Sequence, residues 1–269
     1  MEYLLSILAG VIQGLTEFLP ISSSGHLIIF HDIFNFNLPD DLLFDTILHL
    51  GTLVALVLFF YQDVEKIIRG FFSSLFNWNW KNNFNQRLSW LVIISTIPAA
   101  VVGYFLEDII DNYLRSTFLV VIMLILVAIL FWLAEKYAQK IKNIQQIGIL
   151  DSIIIGCAQA IALIPGTSRS GITIIAGLGR GFKREEAARF SFILSIPIVF
   201  GAGLKKILDI TSMADLNLLV LGLGFISSVV TGYLVIRFLI KYLTNHSLSI
   251  FAWYRLIIGV LMLLWLIAN

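Results

Sequence analysis

Six uninterrupted apolar runs dominate the sequence, and each is long enough to cross a bilayer. A helix needs about 20 residues to span about 30 Å of hydrocarbon. Because backbone polar groups cannot stay unpaired in lipid, such runs must be helical. The sequence therefore predicts an all-α polytopic membrane protein with six transmembrane helices. The runs lie at 42–61, 88–106, 117–134, 187–204, 216–236 and 250–268.

Composition supports a lipid environment and excludes several classes of function. Hydrophobic residues make up 59% of the chain and charged residues 13%, whereas soluble domains average about 45–50% and about 25%. The net charge of +1 predicts no nucleic-acid partner. The single cysteine, Cys157, cannot form an intramolecular disulfide or a thiolate cluster, so any metal must be held by oxygen or nitrogen. The first apolar stretch carries Glu2 and Glu17 and has no basic n-region, so we expect it to remain in the mature protein.

Two further apolar regions, 1–34 and 147–179, are each interrupted near their middle. The first contains the sequence PISSSG at 20–25, and the second contains PGTSRSG at 165–171. Proline and glycine break helices at such points. Irregular backbone at membrane depth is tolerated only where protein buries it or where it lines a watery cavity. We therefore predict two re-entrant helical hairpins.

The charges between the crossings predict an orientation, because Lys and Arg concentrate on the cytoplasmic side. Basic linkers at 62–87, 135–146, 180–186 and 237–249 alternate with acidic or mixed linkers at 31–41, 107–116 and 205–215. Lys205 and Lys206 are discordant on the second side. With the basic set in the cytoplasm, the first hairpin enters from outside and the second enters from the cytoplasm.

A weak internal repeat supports this opposite orientation. The motif Gly-x-x-Gln recurs after 146 residues, from Gly10 to Gly156, and the serine-glycine pattern that follows recurs at the same offset. Such a pattern predicts an inverted-topology repeat whose broken segments face each other near the midplane. We predict one membrane domain, 1–269, with a first half at 1–134 that contains hairpin 1–34 and a second half at 147–269 that contains hairpin 147–179. The alternative is coincidence of Gly, Ser and Pro by composition.

Glu17 lies three residues before the first break, where a carboxylate is costly. Insertion of an intramembrane carboxylate costs about 2.5–3.5 kcal/mol, so it should be paired or face a cavity. Gln13 lies one turn earlier on the same face and offers a second oxygen, although a packing role is equally compatible. Glu17 could instead accept the free N–H groups of the break.

The run Ser22-Ser23-Ser24-Gly25-His26 follows at a point where a new helix begins. Helix N-termini and unpaired backbone N–H groups bind phosphate, and histidine can act as acid or base near neutral pH. The alternative is that the serines only cap the second helix.

Arg169 is the basic residue of the second break. Its planar fork suits bidentate contact with phosphate oxygens, although an ion pair with Glu17 or Asp45 is the alternative. Asp45 and His49 lie one turn apart in the 42–61 crossing, and a site role and a structural role stay open for both. The following aromatic residues are expected to be interfacial anchors: Trp78, Trp80, Trp90, Trp253 and Tyr254.

Four stretches resemble the undecaprenyl-diphosphate phosphatase family, which is also known for bacitracin resistance. They are GLTEFLPISSSGHLI at 14–28, IPGTSRSGITI at 164–174, EEAARFSFILSIPIVFGAG at 185–203 and FDTILHLGT at 44–52. The resemblance implies an enzyme of the bacterial plasma membrane that depends on a divalent cation. It implies dephosphorylation of undecaprenyl diphosphate to the monophosphate, the lipid carrier for cell-wall synthesis. Some members carry glutamate where this chain has Gln13, so we do not expect position 13 to be an indispensable base.

These observations predict a site between the two breaks that opens to the outer face and takes the diphosphate while the isoprenoid tail stays in lipid. Ser23 is the expected nucleophile, activated by His26, and the alternative has Glu17 or His26 activating water. Glu17 and Gln13 would hold magnesium or calcium. We assign catalysis to Glu17, Ser23, His26 and Arg169, and substrate binding to Ser22, Ser24, Gly25, Gly166, Thr167, Ser168, Ser170 and Gly171.

Two rival functions follow from the same features. Broken helices in an inverted repeat are also typical of secondary transporters, so a flippase of a lipid phosphate is the main alternative. A purely structural membrane protein would leave the buried Glu17 and Arg169 unexplained. The sequence is compatible with a homodimer.

Overall fold

A computed structural model describes residues 1–36, 38, 40–114, 116–208 and 217–268, and only the backbone of 107, 108, 111 and 112. Arg115, Asp209, Asp215 and the side chains of Glu107, Asp108 and Asp111, which contributed to the predicted orientation, lie outside this description. Within the described ranges the chain forms helices and no β-sheet. The helices are α1 (Glu2–Phe18), α2 (Ser23–Phe34), α3 (Asp41–Phe59), α4 (Tyr61–Phe76), α5 (Phe84–Tyr113), α6 (Thr117–Tyr137), α7 (Ile149–Ile161), α8 (Arg169–Gly179), α9 (Arg184–Leu208), α10 (Leu218–Leu243) and α11 (Ser249–Ala268).

The six predicted crossings are confirmed as helices. Among the described residues, six helices are long and apolar enough to cross a membrane, namely α3, the 84–106 part of α5, α6, α9, α10 and α11. Each matches one apolar run of the sequence. The chain is therefore an all-α polytopic membrane protein.

The two interrupted regions form pairs of short helices separated by a break. Helices α1 and α2 have 17 and 12 residues, and α7 and α8 have 13 and 11 residues. These lengths are below the roughly 20 residues that a bilayer requires. The helix–break–helix form is as expected, whereas its re-entrant placement in the bilayer stays a prediction.

The two breaks have the same backbone geometry. Ser22 has φ 78° and ψ 94°, and Ser168 has φ 72° and ψ 108°. A positive φ is uncommon for a residue with a side chain. Each serine accepts a hydrogen bond from the backbone N–H three residues later, at Gly25 and Gly171. The 146-residue offset therefore relates two local structures and not merely two compositions, while the division into halves 1–134 and 147–269 stays a prediction.

The repeated glycine explains how each pair of short helices is held by a spanning helix. A Cβ on Gly10 would lie 2.3 Å from the carbonyl oxygen of Gly224 in α10, and a Cβ on Gly156 would lie 2.5 Å from that of Ser95 in α5. Small residues at such crossings let helix backbones approach closely. The corresponding glycines of the repeat therefore bring α1 against α10 and α7 against α5.

Ion pairs and hydrogen bonds join linkers that the loop charges place on the same side of the membrane. Lys206 pairs with Asp40 at 3.0 Å, which places the discordant lysine beside an acidic residue of the same predicted side. On the opposite set, Glu135 binds Arg184 and the backbone N–H of Leu248. The grouping is thus consistent with the loop charges.

The connection 62–87 contains structure that the sequence analysis did not predict. It contains α4, whose Gly70 packs so closely on α5 that a Cβ would lie 2.6 Å from the carbonyl oxygen of Asn85. Val64 and Ile67 of α4 pack against the main hydrophobic core. Charged residues interrupt the apolar run here, and the helix is amphipathic, so a search for continuous hydrophobicity misses it.

Candidate active site

A cavity of about 320 Å³ lies where the two breaks meet the spanning helices. Glu17 and Ser23 reach it from the first break, and Arg169 reaches it from the second. Helix α3 adds Asp45 and His49 to the wall. The structure thus brings three of the four predicted catalytic residues, Glu17, Ser23 and Arg169, to one cavity.

Arg255 of α11 ties the two breaks together. This fully buried side chain donates to the carbonyl oxygen of Pro20 at 3.3 Å and to that of Gly166 at 2.9 Å. It also donates to the carbonyl oxygens of Met123 and Leu124 in α6. One guanidinium therefore fixes the tips of both pairs of short helices. The sequence signal was available but unused, since an arginine inside the apolar run 250–268 predicts a buried functional or structural partner.

Glu17 is the centre of the polar network in the cavity. Its Oε1 accepts a hydrogen bond from Arg169 Nη2. Its Oε2 accepts from Ser23 Oγ at 2.6 Å and from Gln13 Nε2 at 2.9 Å, and lies 3.2 Å from His49 Nδ1. The ion pair offered as the alternative role for Arg169 is therefore present.

Arg169 nevertheless keeps binding capacity. Its Nη1 is buried and has no hydrogen-bond partner in the described part of the chain. An unsatisfied buried donor costs about 1–3 kcal/mol, so an anionic oxygen in the cavity would be favoured at this atom. A phosphate could engage the guanidinium while Glu17 holds its other edge.

Ser23 does not contact His26 as the predicted activation requires. The Ser23 hydroxyl donates to Glu17, whereas His26 Nδ1 lies 2.7 Å from the carbonyl oxygen of Ser22. His26 Nε2 lies 2.8 Å from the hydroxyl of Tyr254. Because a carbonyl oxygen can only accept, Nδ1 carries a proton, and in the neutral ring Nε2 is then the acceptor for the Tyr254 hydroxyl. The base next to Ser23 is thus Glu17, since the helix start turns the imidazole toward α11.

Tyr254 has a more specific position than the predicted interfacial anchor. Its ring stacks on that of His26 with centroids 5.7 Å apart and planes 14° apart. Together with the hydrogen bond, this contact holds the imidazole in one orientation. Sequence reasoning missed the pairing because 228 residues separate the two side chains.

Replacing Tyr254 by phenylalanine should reduce turnover only modestly, by about tenfold or less, because one hydrogen bond of about 1 kcal/mol is lost while the stacked ring remains. The measurement is kcat across a pH series in detergent. Trp253→Phe is the matched control, since that neighbour packs on Trp132 instead. A loss as large as that of His26→Ala would contradict a role limited to holding the imidazole.

Some serines of the two breaks cap a helix, some line the cavity, and Ser168 does both. Ser22 and Ser168 accept from glycine N–H groups, so the capping alternative is correct for these two. Ser24 Oγ lies 3.4 Å from Ser22 Oγ, and Ser170 Oγ lies 3.3 Å from Ser168 Oγ. Ser24 and Ser168 line the cavity as well.

The other residues assigned to substrate binding do not line the cavity. Gly166, with φ +87°, needs its missing side chain because a Cβ would lie 2.7 Å from the Cα of Val120. Gly25 and Gly171 leave room for the capping hydroxyls. These glycines therefore shape the breaks, and a substrate-binding role for the residues outside the cavity wall stays a prediction. The residues concerned are Ser22, Gly25, Gly166, Thr167, Ser170 and Gly171.

The sequence of the chain matches one protein family over nearly its whole length. Residues 6–261 match the family described as bacitracin resistance protein BacA. The chain belongs to the BacA family. The match includes both breaks and every spanning helix that lines the cavity, so the site belongs to the part of the chain that the family shares.

Curated relatives of this BacA-family chain carry one name. An undecaprenyl-diphosphatase of Desulforudis audaxviator is 44% identical over 255 residues, which cover 94% of each chain. One of Rubrobacter xylanophilus is 44% identical over 266 residues and 97% of each chain. One of Alcanivorax borkumensis is 42% identical over 268 residues, 99% of this chain and 100% of the relative. These proteins are full-length matches and not shared fragments.

Glu17 and Gln13, the predicted cation ligands, lie next to each other in this BacA-family chain. Among the described residues, no group of three or more His, Cys, Asp or Glu side chains could hold a metal. Gln13 Oε1 is buried without a hydrogen-bond partner in the same ranges. One carboxylate and one free amide oxygen fit a Mg²⁺-type site, which takes its remaining ligands from phosphate and water.

Proposed function

We propose that this chain hydrolyses undecaprenyl diphosphate to the monophosphate and inorganic phosphate, and so recycles the lipid carrier of cell-wall synthesis. The names of the relatives support this substrate. The observation that carries the proposal is the 2.6 Å hydrogen bond from Ser23 to Glu17 beside Arg169. A hydroxyl, a base and a guanidinium at one cavity suffice for phosphoryl transfer. Bacitracin resistance follows from removal of the lipid diphosphate.

Binding begins at Arg169. The terminal phosphate accepts a hydrogen bond from the free Nη1 of Arg169 and competes with Glu17 for Nη2. The guanidinium then neutralises charge on the oxygens bound to phosphorus. The apolar tail lies among the membrane helices that line the cavity. Ser24 and Ser168 supply hydroxyl donors at the wall. Displacement of the ion pair frees Glu17 to accept a proton.

The chemistry proceeds in two displacements. Ser23 Oγ bonds to the terminal phosphorus as its proton passes to Glu17, and the bond to the bridging oxygen breaks. The electron pair leaves with the lipid monophosphate. Water then attacks the phosphorus of the phosphoserine, and the bond from phosphorus to Ser23 Oγ breaks with its electron pair on Oγ. Oγ regains the proton held by Glu17, and the water oxygen leaves in inorganic phosphate, which keeps the protons of the water. The alternative within the same site is direct attack by water that Glu17 activates.

His26 holds the first break in shape in this scheme. Its Nδ1–H donates to the Ser22 carbonyl oxygen, one residue before the nucleophile. A residue that fixes the backbone there positions the Ser23 hydroxyl against Glu17. This replaces the predicted role of His26 as the base for Ser23.

A divalent cation completes the proposed site. Magnesium or calcium would be held by Glu17 and Gln13 together with phosphate oxygens. When bound, it would polarise the phosphate and neutralise developing charge. The residues of the chain perform the binding and proton transfer described above.

The proposal places the enzyme in the bacterial plasma membrane with the cavity open to the outer face. Both pairs of short helices are re-entrant in this placement, and Arg255, which contacts both breaks, holds the two tips beside each other. A homodimer is compatible with it. The orientation rests on the loop charges.

Cysteine labelling should reveal the re-entrant form of the first pair of helices. In a Cys157→Ser background, Glu2→Cys and Asp32→Cys replace exposed residues at its two ends. Both should react with an impermeant thiol reagent added to intact cells. The exposed control Gln139→Cys should react only after the cells are opened. If Glu2→Cys and Asp32→Cys needed opposite conditions, the pair would cross the membrane and the inverted arrangement would be wrong.

Phosphate release from undecaprenyl diphosphate in detergent tests the proposed function. Detergent micelles provide no second compartment, so a transporter produces no phosphate there, whereas the enzyme should turn over continuously. Arg169→Ala is the control for a contaminating phosphatase. Absence of phosphate release from the folded wild-type protein with magnesium or calcium present would overturn the proposal in favour of a transporter.

A further inference from the structure

Gln159, near the end of α7, lines the cavity, and its side-chain amide has no hydrogen-bond partner among the residues that the structure describes. The residue is 2% exposed, and both Nε2 and Oε1 are buried. Buried polar side chains are almost always hydrogen-bonded. An amide left without a partner at a cavity wall therefore indicates a ligand that satisfies it.

The internal repeat explains why the side-chain amide of Gln159 has no partner among the described residues. Gln159 corresponds to Gln13, whose Nε2 contacts Glu17 at 2.9 Å and His49 at 2.8 Å. The residues at the same 146-residue offset from those partners are Leu163 and Ser195, and the Ser195 hydroxyl donates to the carbonyl oxygen of Phe192. The second half thus keeps the glutamine and lacks both of its partners.

The surroundings of Gln159 define the chemistry of the ligand. Arg169 Nη1, a second buried donor without a partner, belongs to a residue of the same cavity wall. Two N–H donors, one of them charged, favour an anion with several oxygens. Ala99 of α5 also lines the cavity, as do Ala162 and Leu163, which directly follow α7. That wall suits the part of the ligand where an anionic group joins an apolar chain.

We propose that Gln159 donates from Nε2 to the phosphate that stays on the lipid, while Arg169 and Ser23 engage the phosphate that is removed. The inference rests on the proposed function. Glu17 in the last turn of α1 and Ser23 at the start of α2 must face the terminal phosphorus. The inner phosphate, which carries the lipid tail, then meets the part of the wall where Gln159 lies with Ala99, Ala162 and Leu163. Gln159 is then a substrate-binding residue that also holds the monophosphate product.

Product inhibition of the Gln159→Leu variant tests this assignment. Leucine keeps most of the volume and removes both amide atoms. We expect the KM for undecaprenyl diphosphate and the inhibition constant of undecaprenyl monophosphate to rise about tenfold or more, as expected for one lost hydrogen bond to a charged group. The inhibition constant of inorganic phosphate should stay unchanged, and kcat should fall by less than about threefold, because binding is lost and not transition-state chemistry.

Ser152→Ala is the matched control on the same helix. Ser152 is fully buried and its hydroxyl is also unpartnered in the described ranges, but it does not line the cavity. All constants should stay at wild-type values in this variant. Gln159→Asn keeps the amide and shortens its reach, so it should weaken monophosphate binding in a protein that folds as the wild type does.

Three results would overturn the inference. One is an unchanged KM in Gln159→Leu, and another is a weakened inhibition by inorganic phosphate alone. The third is a parallel rise of both inhibition constants, which would assign the amide to a position shared by the two phosphates. Each is read against an active wild-type enzyme, so failure of the inference is distinct from failure of the proposed function.

Discussion

Replacing Arg169 by lysine should lower kcat/KM by about 100-fold or more, and replacing it by alanine should remove nearly all activity. The guanidinium holds Glu17 through Nη2 and keeps Nη1 free for phosphate. A lysine ammonium is a point charge that cannot make both contacts in fixed geometry. Removal of one preorganised donor to the charge that develops in a transition state typically costs about 10²–10³ in rate. The measurement is phosphate release by purified variants in detergent.

The control for this prediction is Arg180→Lys. Arg180 binds Asp151 at 2.6 Å and does not line the cavity, so this variant should keep near wild-type turnover. Arg169→Ala also leaves Glu17 as an unpaired buried charge, which destabilises proteins by about 3–5 kcal/mol. Arg169→Ala combined with Glu17→Gln removes that charge and should fold while staying inactive. Near wild-type turnover in Arg169→Lys would mean that the phosphate clamp is wrongly assigned.

Ser23→Ala and Glu17→Gln should each lower kcat by about 10³-fold or more, and the double variant should be no worse than the more damaging single variant. Residues that act as one unit are strongly non-additive, and the 2.6 Å hydrogen bond joins these two. The kinetics are measured with excess magnesium or calcium. Excess cation restores part of the rate if Glu17→Gln has only lost a cation ligand, and it does not restore the rate if the variant has lost the base.

Two control variants test whether the large loss is specific to Ser23 and Glu17. Ser24→Ala removes a neighbouring cavity hydroxyl and should cost far less than Ser23→Ala. His26→Ala should also cost less, because both ring nitrogens face Ser22 and Tyr254. Multiplying losses in the Ser23→Ala, Glu17→Gln double variant would show that the two residues act in separate steps.

The parts of the fold that depend on local signals were predictable. Each spanning helix comes from an uninterrupted apolar run, and each break comes from proline and glycine within such a run. Even the cap could be inferred, since both breaks contain serine followed three residues later by glycine, at Ser22 and Ser168. That shared spacing identifies Ser22 as the cap and leaves Ser23 for the cavity.

The contacts between distant helices were not predictable from the sequence. The partner of the Ser23 hydroxyl depends on the direction in which the helix after the break starts, and sequence spacing alone favoured His26. Arg255 and Tyr254 reach the breaks from the last spanning helix. His49 was left open between a core and a site role, and packing of α3 on α1 brings it to Glu17.

The helix α4 illustrates a different limit. Its apolar residues follow helical spacing between charged ones, so its mean composition is that of a linker. The close contact of Gly70 with α5 shows that this helix packs as part of the fold. Tertiary packing stabilises most amphipathic helices of this length.

The stereochemical course at the transferred phosphorus tests the central claim, that Ser23 attacks with Glu17 as its base. The substrate carries a terminal phosphate made chiral with sulfur and oxygen isotopes, and hydrolysis takes place in isotopically labelled water. Two in-line displacements through a phosphoserine retain the configuration, so the account predicts retention. Inversion would show a single displacement by water and would contradict Ser23 as the nucleophile.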